Sequence, residues 1–259
     1  MLKLGGSVIT IKNRAFTPNR EAITRLAGEI SDSKASPLII VHGGGSYGHP
    51  LAAKYRIAEG FRESRQLIGF SKTHNAMQSL NILIVEALIK HGLPAISIAP
   101  SSCIVTKRGR IERFDAEVLS RSLKLGFVPV LYGDAVFDCE TGFSILSGDQ
   151  LASALAIMFN AEKVIMGVDV DGLYTADPKI DFSAKLIERI SLSELEKLAD
   201  RIGGSRATDV TGGMVGKIFE MSSLVASGID VMIVNALKPG NIYKALRGEK
   251  VRGTRIVKG

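Results

Sequence analysis

Short apolar segments alternate with longer amphipathic segments along the whole chain, and this alternation is the strongest constraint on its fold. The apolar segments predict strands at 38–41, 95–98, 128–131, 163–166 and 230–234. The spacing of apolar residues between them predicts helices over about 19–32, 65–91, 115–124, 147–160, 193–200 and 214–228. Because a strand–helix–strand crossover joins parallel strands, we expect an α/β fold with a mainly parallel sheet and helices on both faces.

The chain reads as one continuous domain. Turn signals at 102–112 and 134–146 predict two β-hairpins appended to the sheet. No repeat, low-complexity tract or Pro/Ser-rich linker interrupts the 259 residues, a length that suits one large domain or two small lobes. We therefore expect a single domain, residues 1–259, with an N-terminal lobe of about 1–160 and a C-terminal lobe of about 161–259.

Composition excludes several classes of protein. Apolar residues make up 46% and charged residues 23%, which is not the usage of a disordered, collagen-like or coiled-coil chain. The longest apolar stretches fall short of the roughly 20 residues that span a bilayer, and no signal peptide is evident, so we expect no membrane contact and a cytoplasmic location. Cys103 and Cys139 belong to no CxxC pair, which argues against a zinc site or a disulfide framework. The formal charge of +7 is spread along the chain, so a small anionic substrate is favoured over nucleic acid.

Two glycine-rich segments directly follow predicted strands. The first, Lys3-Leu-Gly-Gly-Ser7, is followed shortly by Lys12, and the second, His42-Gly-Gly-Gly-Ser-Tyr-Gly-His49, follows the strand 38–41. Glycines let the backbone approach a ligand closely, and their amides lie where open α/β sheets bind anions. The first segment alone is equally consistent with a tight turn carrying surface lysines. Neither segment is GxGxxG or GxxxxGKS, so a dinucleotide fold or a P-loop is not indicated.

Three further segments combine glycine with charge. In Ser147-Gly-Asp-Gln150, the serine is placed to cap a helix, and Asp149 suits the helix dipole or, if buried between lysines, would orient them. The segment Asp169-Val-Asp-Gly-Leu-Tyr-Thr-Ala-Asp-Pro178 follows a strand and resembles a platform for a base or a ribose. In Asp209-Val-Thr-Gly-Gly-Met-Val-Gly-Lys217, glycines lead into a helix with a lysine in its first turn. Each is common by itself, because a lone lysine is usually a solvated surface residue.

The order GGS, HGGG, GD, DVDGLY and TGGM followed by a lysine resembles the amino acid kinase family over residues 1 to about 235. The resemblance implies a three-layer αβα sandwich, with the phosphoryl acceptor in the N-terminal lobe and ATP in the C-terminal lobe. Gly43-Gly-Gly-Ser-Tyr-Gly-His49 and Ile68-Gly-Phe-Ser-Lys-Thr-His74 are similar to the branch of this family that phosphorylates isopentenyl phosphate. One departure is Ile11, which stands where an acid commonly precedes the lysine.

The resemblance implies three sets of site residues. The catalytic residues would be Lys3, Lys12, His49, Asp149 and Lys217. The acceptor would contact His49, the glycines Gly6, Gly43, Gly44 and Gly148, and the side chains of Phe70, Thr73, Met77, Val130 and Ile145. ATP would contact Lys3, Gly5, Ser7, Gly45, Asp169, Gly172, Leu173, Tyr174, Asp177, Gly213 and Lys217. Mg²⁺ would arrive with the nucleotide, because the sequence contains no dense carboxylate cluster to hold it.

The predicted helix 65–91 carries an apolar stripe that includes Phe70 and Met77. Such a stripe is ordinarily core packing, but the resemblance places its start over an isoprenoid tail. An apolar cavity suits a five-carbon alkenyl chain, whereas a uridylate or amino acid pocket would need polar partners. Two alternatives stay open: another small phosphate or phosphonate acceptor, such as uridylate or fosfomycin, and a nucleotide-binding protein without catalysis.

The remaining histidines favour structural roles. We expect His42 and His74 to be hydrogen-bonded within the fold, and His91 to place a favourable charge at a helix end. The resemblance also implies a homodimer.

Overall fold

The computed structural model describes residues 1–176, 181–203 and 213–258, without the side chains of 198–203 and 213–216. The strands are β1 (Leu2–Leu4), β2 (Ile40–His42), β3 (Ala95–Ser97), β4 (Ile104–Lys107), β5 (Arg110–Phe114), β6 (Val128–Tyr132), β7 (Asp134–Asp138), β8 (Gly142–Leu146), β9 (Lys163–Val168), β10 (Arg189–Ser191), β11 (Asp230–Asn235) and β12 (Gly253–Val257). The helices are α1 (Gly6–Ile9), α2 (Arg20–Ser33), α3 (Gly45–Lys54), α4 (Arg65–Lys90), α5 (Glu117–Lys124), α6 (Gly148–Met158), α7 (Leu192–Gly203), α8 (Gly213–Ala226) and α9 (Asn241–Arg247). Every predicted strand and helix overlaps one of these elements.

An eight-stranded sheet forms the centre of the molecule, with strand order β10-β12-β11-β9-β1-β2-β6-β3. The six strands from β11 to β3 are parallel to one another, whereas β12 runs antiparallel to β11 and β10 runs parallel to β12. All residues of β1, β2 and β6 are buried, as expected where helices cover both faces of a parallel sheet. The mainly parallel sheet is therefore confirmed.

Helices pack on both faces of this sheet. On one face α2, α4 and α9 bury their apolar sides against β1 and β2 in a core that includes Leu2 and Leu4. On the other face α5 and α6 pack against β2 and β6, while α7 and α8 pack against β9 and β11. These three layers confirm the αβα sandwich. Side chains alternate along a strand, so Lys3, between Leu2 and Leu4, lies on the face of α6 and α8.

A second, four-stranded sheet with order β5-β4-β7-β8 contains the two predicted hairpins. A parallel contact between β4 and β7 joins the hairpins, which are themselves antiparallel. The ring of Phe70 on α4 lies 5.2 Å from that of Phe137 and 5.6 Å from that of Phe143, centroid to centroid. This small sheet therefore packs against the first turns of α4.

The segment 47–65, between the predicted strand 38–41 and the predicted helix 65–91, is largely helical. It contains most of α3 and a short 3₁₀ turn at Ile57–Glu59. Gly45, Gly48 and Pro50 are poor helix formers, so helix propensity alone does not predict α3. The helix forms because it packs on α4: a Cβ built on Gly48 would lie 2.8 Å from Met77 Sδ. In the described part of the chain, no helix is long and apolar enough to cross a membrane.

Candidate active site

Three glycine segments meet at the carboxyl ends of β1, β2 and β6. A Cβ built on Gly6 would lie 2.2 Å from the amide nitrogen of Gly45, and one on Gly43 would lie 2.9 Å from that of Gly6. A Cβ on Gly148, the first residue of α6, would lie 2.9 Å from the carbonyl oxygen of His42. Because real Cβ atoms do not approach other atoms so closely, these positions require glycine. The sequence thus brings the backbone amides of three segments to one place, as the glycine motifs predict.

Thr10 links the first two of these segments, and sequence reasoning did not identify it. Its hydroxyl donates to the carbonyl oxygen of Gly6 at 2.7 Å and accepts from the amide of Ser46 at 3.0 Å. Gly45 adopts a left-handed φ of +47°, and a Cβ there would lie 2.2 Å from Thr10 Oγ1. The hydroxyl therefore fixes the distance between the two loops. Nothing in the spacing of the motif marks Thr10, because its partner is remote in sequence.

A lysine–aspartate–lysine cluster lies beside these glycines. Asp149 Oδ1 lies 2.6 Å from Lys3 Nζ, and Asp149 Oδ2 accepts a hydrogen bond from Lys217 Nζ at 2.8 Å. Ser147 caps α6 by accepting from the amide of Gln150 at 3.1 Å, which places Asp149 in the first turn. Lys217 is the fifth residue of α8, slightly beyond the predicted first turn. Both ammonium groups therefore contact the one carboxylate, and the orienting role of Asp149 stays a prediction.

The carboxyl group of Asp149 stays ionised. Burial by itself raises its pKa, but the charges of Lys3 and Lys217 and their hydrogen bonds outweigh burial and hold the pKa well below its ordinary value. The Lys3 side chain is 5% exposed, whereas that of Lys217 is 40% exposed. Two ammonium groups and one carboxylate leave a net positive charge, and Lys217 is the member most open to a ligand. The cluster can therefore bind an anion.

His49 and Lys12 both present exposed side chains near the glycine segments. His49 is the fifth residue of α3, which begins in the second glycine segment. Lys12 lies in the turn that follows Thr10. Both are accessible to a ligand from solvent, and their catalytic roles stay predictions.

The residues expected around an apolar tail fall into two groups. Phe70 and Ile145 pack at a small cluster with Tyr55, Ile57 and Phe143. Met77 and Val130 belong to the main core instead.

Within the second group, a Cβ on Gly44 would lie 3.1 Å from Met77 Sδ, so Met77 supports the second glycine segment from below. Val130 is fully buried, and the buried Thr73 hydroxyl donates to Gly69 within α4 at 2.9 Å. Of the five residues expected around the tail, only Phe70 and Ile145 therefore lie at the small cluster, where both are half-buried.

The segment after β9, expected to bind the nucleotide, is held against β12. Gly172 has a φ of +155°, and a Cβ there would lie 2.4 Å from Thr254 Oγ1. The amide of Leu173 donates to the same hydroxyl at 2.8 Å, and Tyr174 forms a β-bridge to Leu186. Asp169 is half-buried directly after the strand.

Four other predicted ATP contacts differ in how much the structure says of them. Gly5 is buried, and its amide donates to the carbonyl oxygen of Gly167 at 2.8 Å. Ser7 is half-buried in α1, and Gly213 begins α8. Asp177 and the segment 209–212 lie outside the described residues.

Asp171 is a second residue that sequence reasoning missed. Its carboxylate accepts hydrogen bonds from Asn235 Nδ2 at 2.9 Å and Lys238 Nζ at 2.8 Å, and lies 3.1 Å from Arg252 Nε. The hydrogen bond from Lys238 is the main reason that the pKa of Asp171 lies below its ordinary value. Asp171 therefore joins the segments that follow β9 and β11 and that precede β12. The only sequence signal was its place in the DVDGLY motif.

His42 and His74 have the structural roles expected of them. His42 is fully buried, and its ring contacts the carbonyl oxygen of Gly43 and the amide of Asn81, each at 3.1 Å. His74 Nδ1 lies 2.9 Å from Asp134 Oδ2, which ties α4 to β7. Each imidazole therefore cross-links α4 to a neighbouring element. His91 Nδ1 contacts the carbonyl oxygen of Ala87 at 2.8 Å, at the end of α4.

The described residues offer no evident metal site. In residues 1–176, 181–203 and 213–258, no three His, Cys, Asp or Glu side chains lie together as metal ligands would. Asp149, the carboxylate beside the glycines, has each oxygen against a lysine ammonium. Its donor set therefore does not suit direct coordination of a cation.

The structure combines a three-layer sandwich, facing glycine segments and two lysines on one aspartate. Comparison with known proteins assigns a chain with these features to a family. The model of the amino acid kinase family matches residues 1–235, and the chain belongs to this family.

Within this family, relatives that match almost the whole chain include isopentenyl phosphate kinases. The isopentenyl phosphate kinase of Methanothermobacter thermautotrophicus is 45% identical, over 99% of this chain and 98% of its own length. That of Methanocaldococcus jannaschii is 36% identical, over 99% and 97%. A solved structure of an isopentenyl phosphate kinase superposes with a TM-score of 0.87 at 41% identity, covering 99% of this chain and 98% of its own. The chain therefore shares its fold with these kinases and is similar to them in sequence over almost its full length.

Proposed function

We propose that this chain transfers the γ-phosphoryl group of ATP to isopentenyl phosphate, forming isopentenyl diphosphate for isoprenoid synthesis by an alternative mevalonate route. The full-length similarity to kinases of that name supports the acceptor. The observation that carries the chemistry is the cluster in which Asp149 holds the ammonium groups of Lys3 and Lys217 beside three glycine segments.

The acceptor needs no general base. A phosphate monoester has a second pKa of about 6, so its attacking oxygen is largely deprotonated at neutral pH. The site must instead bring two polyanions together in line and stabilise charge on the transferring group. Backbone amides and ammonium groups meet that requirement, and the described site is built from them.

The two lysines divide this task. Lys217 is the more exposed of the pair, so we assign it to the phosphates of ATP and to the migrating group. Lys3 is buried and paired with Asp149, and it supplies a fixed positive charge close to the transferring phosphoryl group. Because Asp149 orients both ammonium groups before the reaction, little reorganisation is needed in the transition state. Lys12 would reach that transition state from the acceptor side.

The acceptor would bind at the second glycine segment. Amides of Gly44, Gly45 and Gly148 and the imidazole of His49 would hold its phosphate, and a charged imidazolium would bind more strongly than a neutral one. Phe70 and Ile145, in the small aromatic cluster, would line the hydrocarbon tail. This cluster is apolar, as a five-carbon alkenyl chain requires.

Magnesium is expected to travel with ATP. Since the described residues provide no carboxylate site for it, nucleotide phosphates and water molecules would be its ligands. We further propose a cytoplasmic homodimer, with the acceptor bound by residues of about 1–160 and ATP by residues of about 161–259. Light scattering of the purified chain tests the dimer, and the mass of one chain would contradict it.

An acceptor panel tests the proposed reaction. ADP release is measured with isopentenyl phosphate, uridylate, fosfomycin and glutamate at equal concentrations. We expect kcat/KM for isopentenyl phosphate to exceed the others by about 100-fold or more. Turnover of uridylate or fosfomycin alone would assign a different acceptor. No ADP release with any acceptor would indicate a nucleotide-binding protein without catalysis.

Variants of the chain test the residues. Lys217→Met is expected to lose about two to three orders of magnitude in kcat, while Lys244→Met, which removes an exposed lysine on α9, serves as the matched control. His49→Ala is expected to lose a similar factor in kcat/KM, and His49→Gln, which keeps a donor, should retain more activity. Unchanged kinetics for isopentenyl phosphate in His49→Ala would remove His49 from the site.

A further inference from the structure

The hairpin formed by β4 and β5 contacts α8, the helix that carries Lys217. Arg110, the first residue of β5, forms an ion pair through Nη1 with Glu220 Oε1. Its guanidinium also lies 5.6 Å from the centroid of the Phe219 ring, within cation–π distance. Two neighbouring residues of α8 are therefore engaged by one arginine from a distant part of the chain.

Glu220 is a buried carboxylate, with its side chain 9% exposed. A buried charge is costly unless it is paired, so Arg110 supplies what Glu220 requires. The backbone carbonyl of Glu220 accepts a hydrogen bond from Ser153 Oγ on α6 at 3.2 Å. Glu220 is thus held from two sides, by the hairpin and by α6.

These contacts repeat, one helical turn further along, the contact made by the catalytic cluster. On α6, Ser153 follows Asp149 by four residues, and on α8, Glu220 follows Lys217 by three, so each pair shares a helix face. Asp149 contacts Lys217, and Ser153 contacts Glu220. Side-chain contacts therefore join α6 and α8 at two successive turns. The ion pair between Arg110 and Glu220 lies at the second of these turns.

We propose that Arg110 is a positioning residue for Lys217: by pairing with Glu220 it holds α8 in register with α6, so that the Lys217 ammonium stays on Asp149. This inference rests on the catalytic role proposed for Lys217. Arg110 itself acts through α8 and needs no contact with either substrate. A small displacement of α8 would move Lys217 Nζ away from the transferring group, which lowers kcat more than it changes substrate affinity.

The test compares Arg110 with an arginine on the same strand. Arg110→Ala removes the ion pair, Arg110→Lys keeps the charge, and Glu220→Gln removes the partner charge. Arg113→Ala is the matched control because Arg113 is an exposed residue of β5. For each variant, kcat and both KM values are measured, together with hydrogen exchange of the backbone amides at 217–226.

We expect Arg110→Ala and Glu220→Gln to lower kcat about 10- to 100-fold, with both KM values within about threefold of the starting protein. Arg110→Lys should recover part of the loss, and Arg113→Ala should change nothing. Exchange at 217–226 should become faster in Arg110→Ala and in Glu220→Gln, and should be unchanged in Arg113→Ala. If Arg110→Ala keeps its kcat, or loses kcat without faster exchange in α8, the proposal is overturned.

The two proposals fail in distinguishable ways. If the unaltered chain does not phosphorylate isopentenyl phosphate, the proposed function is wrong, and exchange in α8 decides the role of Arg110 by itself. If the unaltered chain is active and Arg110→Ala matches Arg113→Ala in every measurement, only the role of Arg110 is wrong. Should Arg110→Ala not fold, Arg110→Lys and Glu220→Gln decide the same question.

Discussion

Acid should destabilise this protein through His42, an imidazole that the fold keeps neutral. Nδ2 of Asn81 lies 3.1 Å from Nε2 of His42, and with Nδ2 as the donor the ring proton lies on Nδ1, facing Gly43 O. Burial is the main cause that lowers the pKa of His42 from an ordinary value of 6.5 to about 4. In this arrangement a second ring proton, on Nε2, would face the Nδ2 donor of Asn81.

The sign and size follow from proton linkage. As pH falls through 6.5, the unfolded imidazole takes up a proton that the folded one does not, so stability falls, and it continues to fall until pH nears 4. At pH 5.0 the loss relative to pH 7.5 is about 2 kcal/mol, and at pH 4 it is about 3 kcal/mol, at 1.36 kcal/mol per pKa unit.

Urea unfolding at pH 7.5 and pH 5.0 measures this quantity. The variant His42→Asn cannot titrate, so its free energy of unfolding should fall by about 2 kcal/mol less between the two pH values than that of the starting protein. His74→Asn should act in the opposite direction. The hydrogen bond to Asp134 is the main cause that raises the pKa of His74, so this imidazole contributes stability at low pH that is lost as pH rises. Equal pH differences in His42→Asn and the starting protein would refute the buried, neutral imidazole.

Three further predictions concern the two substrate sites. Gly45→Ala combines a left-handed φ with a Cβ that would lie 2.2 Å from the Thr10 hydroxyl, so activity should fall by about 100-fold or more. Gly92 is the control because it also has a left-handed φ but open space around it. In the same rate assay, Gly92→Ala therefore reports the effect of backbone strain alone. Asp171→Asn removes the ion pairs that join the segments proposed to bind ATP, so KM for ATP should rise about three- to tenfold in initial-rate assays while KM for the acceptor is unchanged. Equal changes in both KM values would contradict a local role. Phe70→Ala should shift preference towards longer prenyl phosphates in a competition assay, whereas an unchanged order of preference would place Phe70 outside the tail pocket.

The sequence predicts the main elements well because their signals are local. Apolar runs with β-branched residues mark the buried strands, and the cap at Ser147 and the apolar stripe of α4 mark helices. Missed elements depend on distant contacts. The seven-residue α9, for example, has its first amides satisfied by the carboxylate of Glu29 on α2, which accepts from Ile242 at 3.1 Å and Tyr243 at 3.2 Å.

In the candidate site too, residues within local motifs were predictable, whereas residues that act through distant partners were not. Lys3, Asp149 and Lys217 were identifiable because each lies in a glycine motif, and the resemblance placed the motifs together. Thr10 and Arg110 were not, since their roles exist only through partners remote in the chain. Individual apolar contacts such as Val130 were hard to assign, because a periodic pattern shows which face is buried but not whether a core or a ligand covers it.

The four-stranded sheet gives the molecule a modular construction. Phe137 and Phe143, which contact Phe70, belong to that sheet, whereas Lys3 belongs to the large sheet and Lys217 to α8. Since Phe70 is proposed to line the acceptor tail, changes in the β7–β8 hairpin would alter acceptor choice, whereas changes in the β4–β5 hairpin would reach Lys217 through Arg110. A library confined to 134–146 is accordingly the economical starting point for engineering new acceptors.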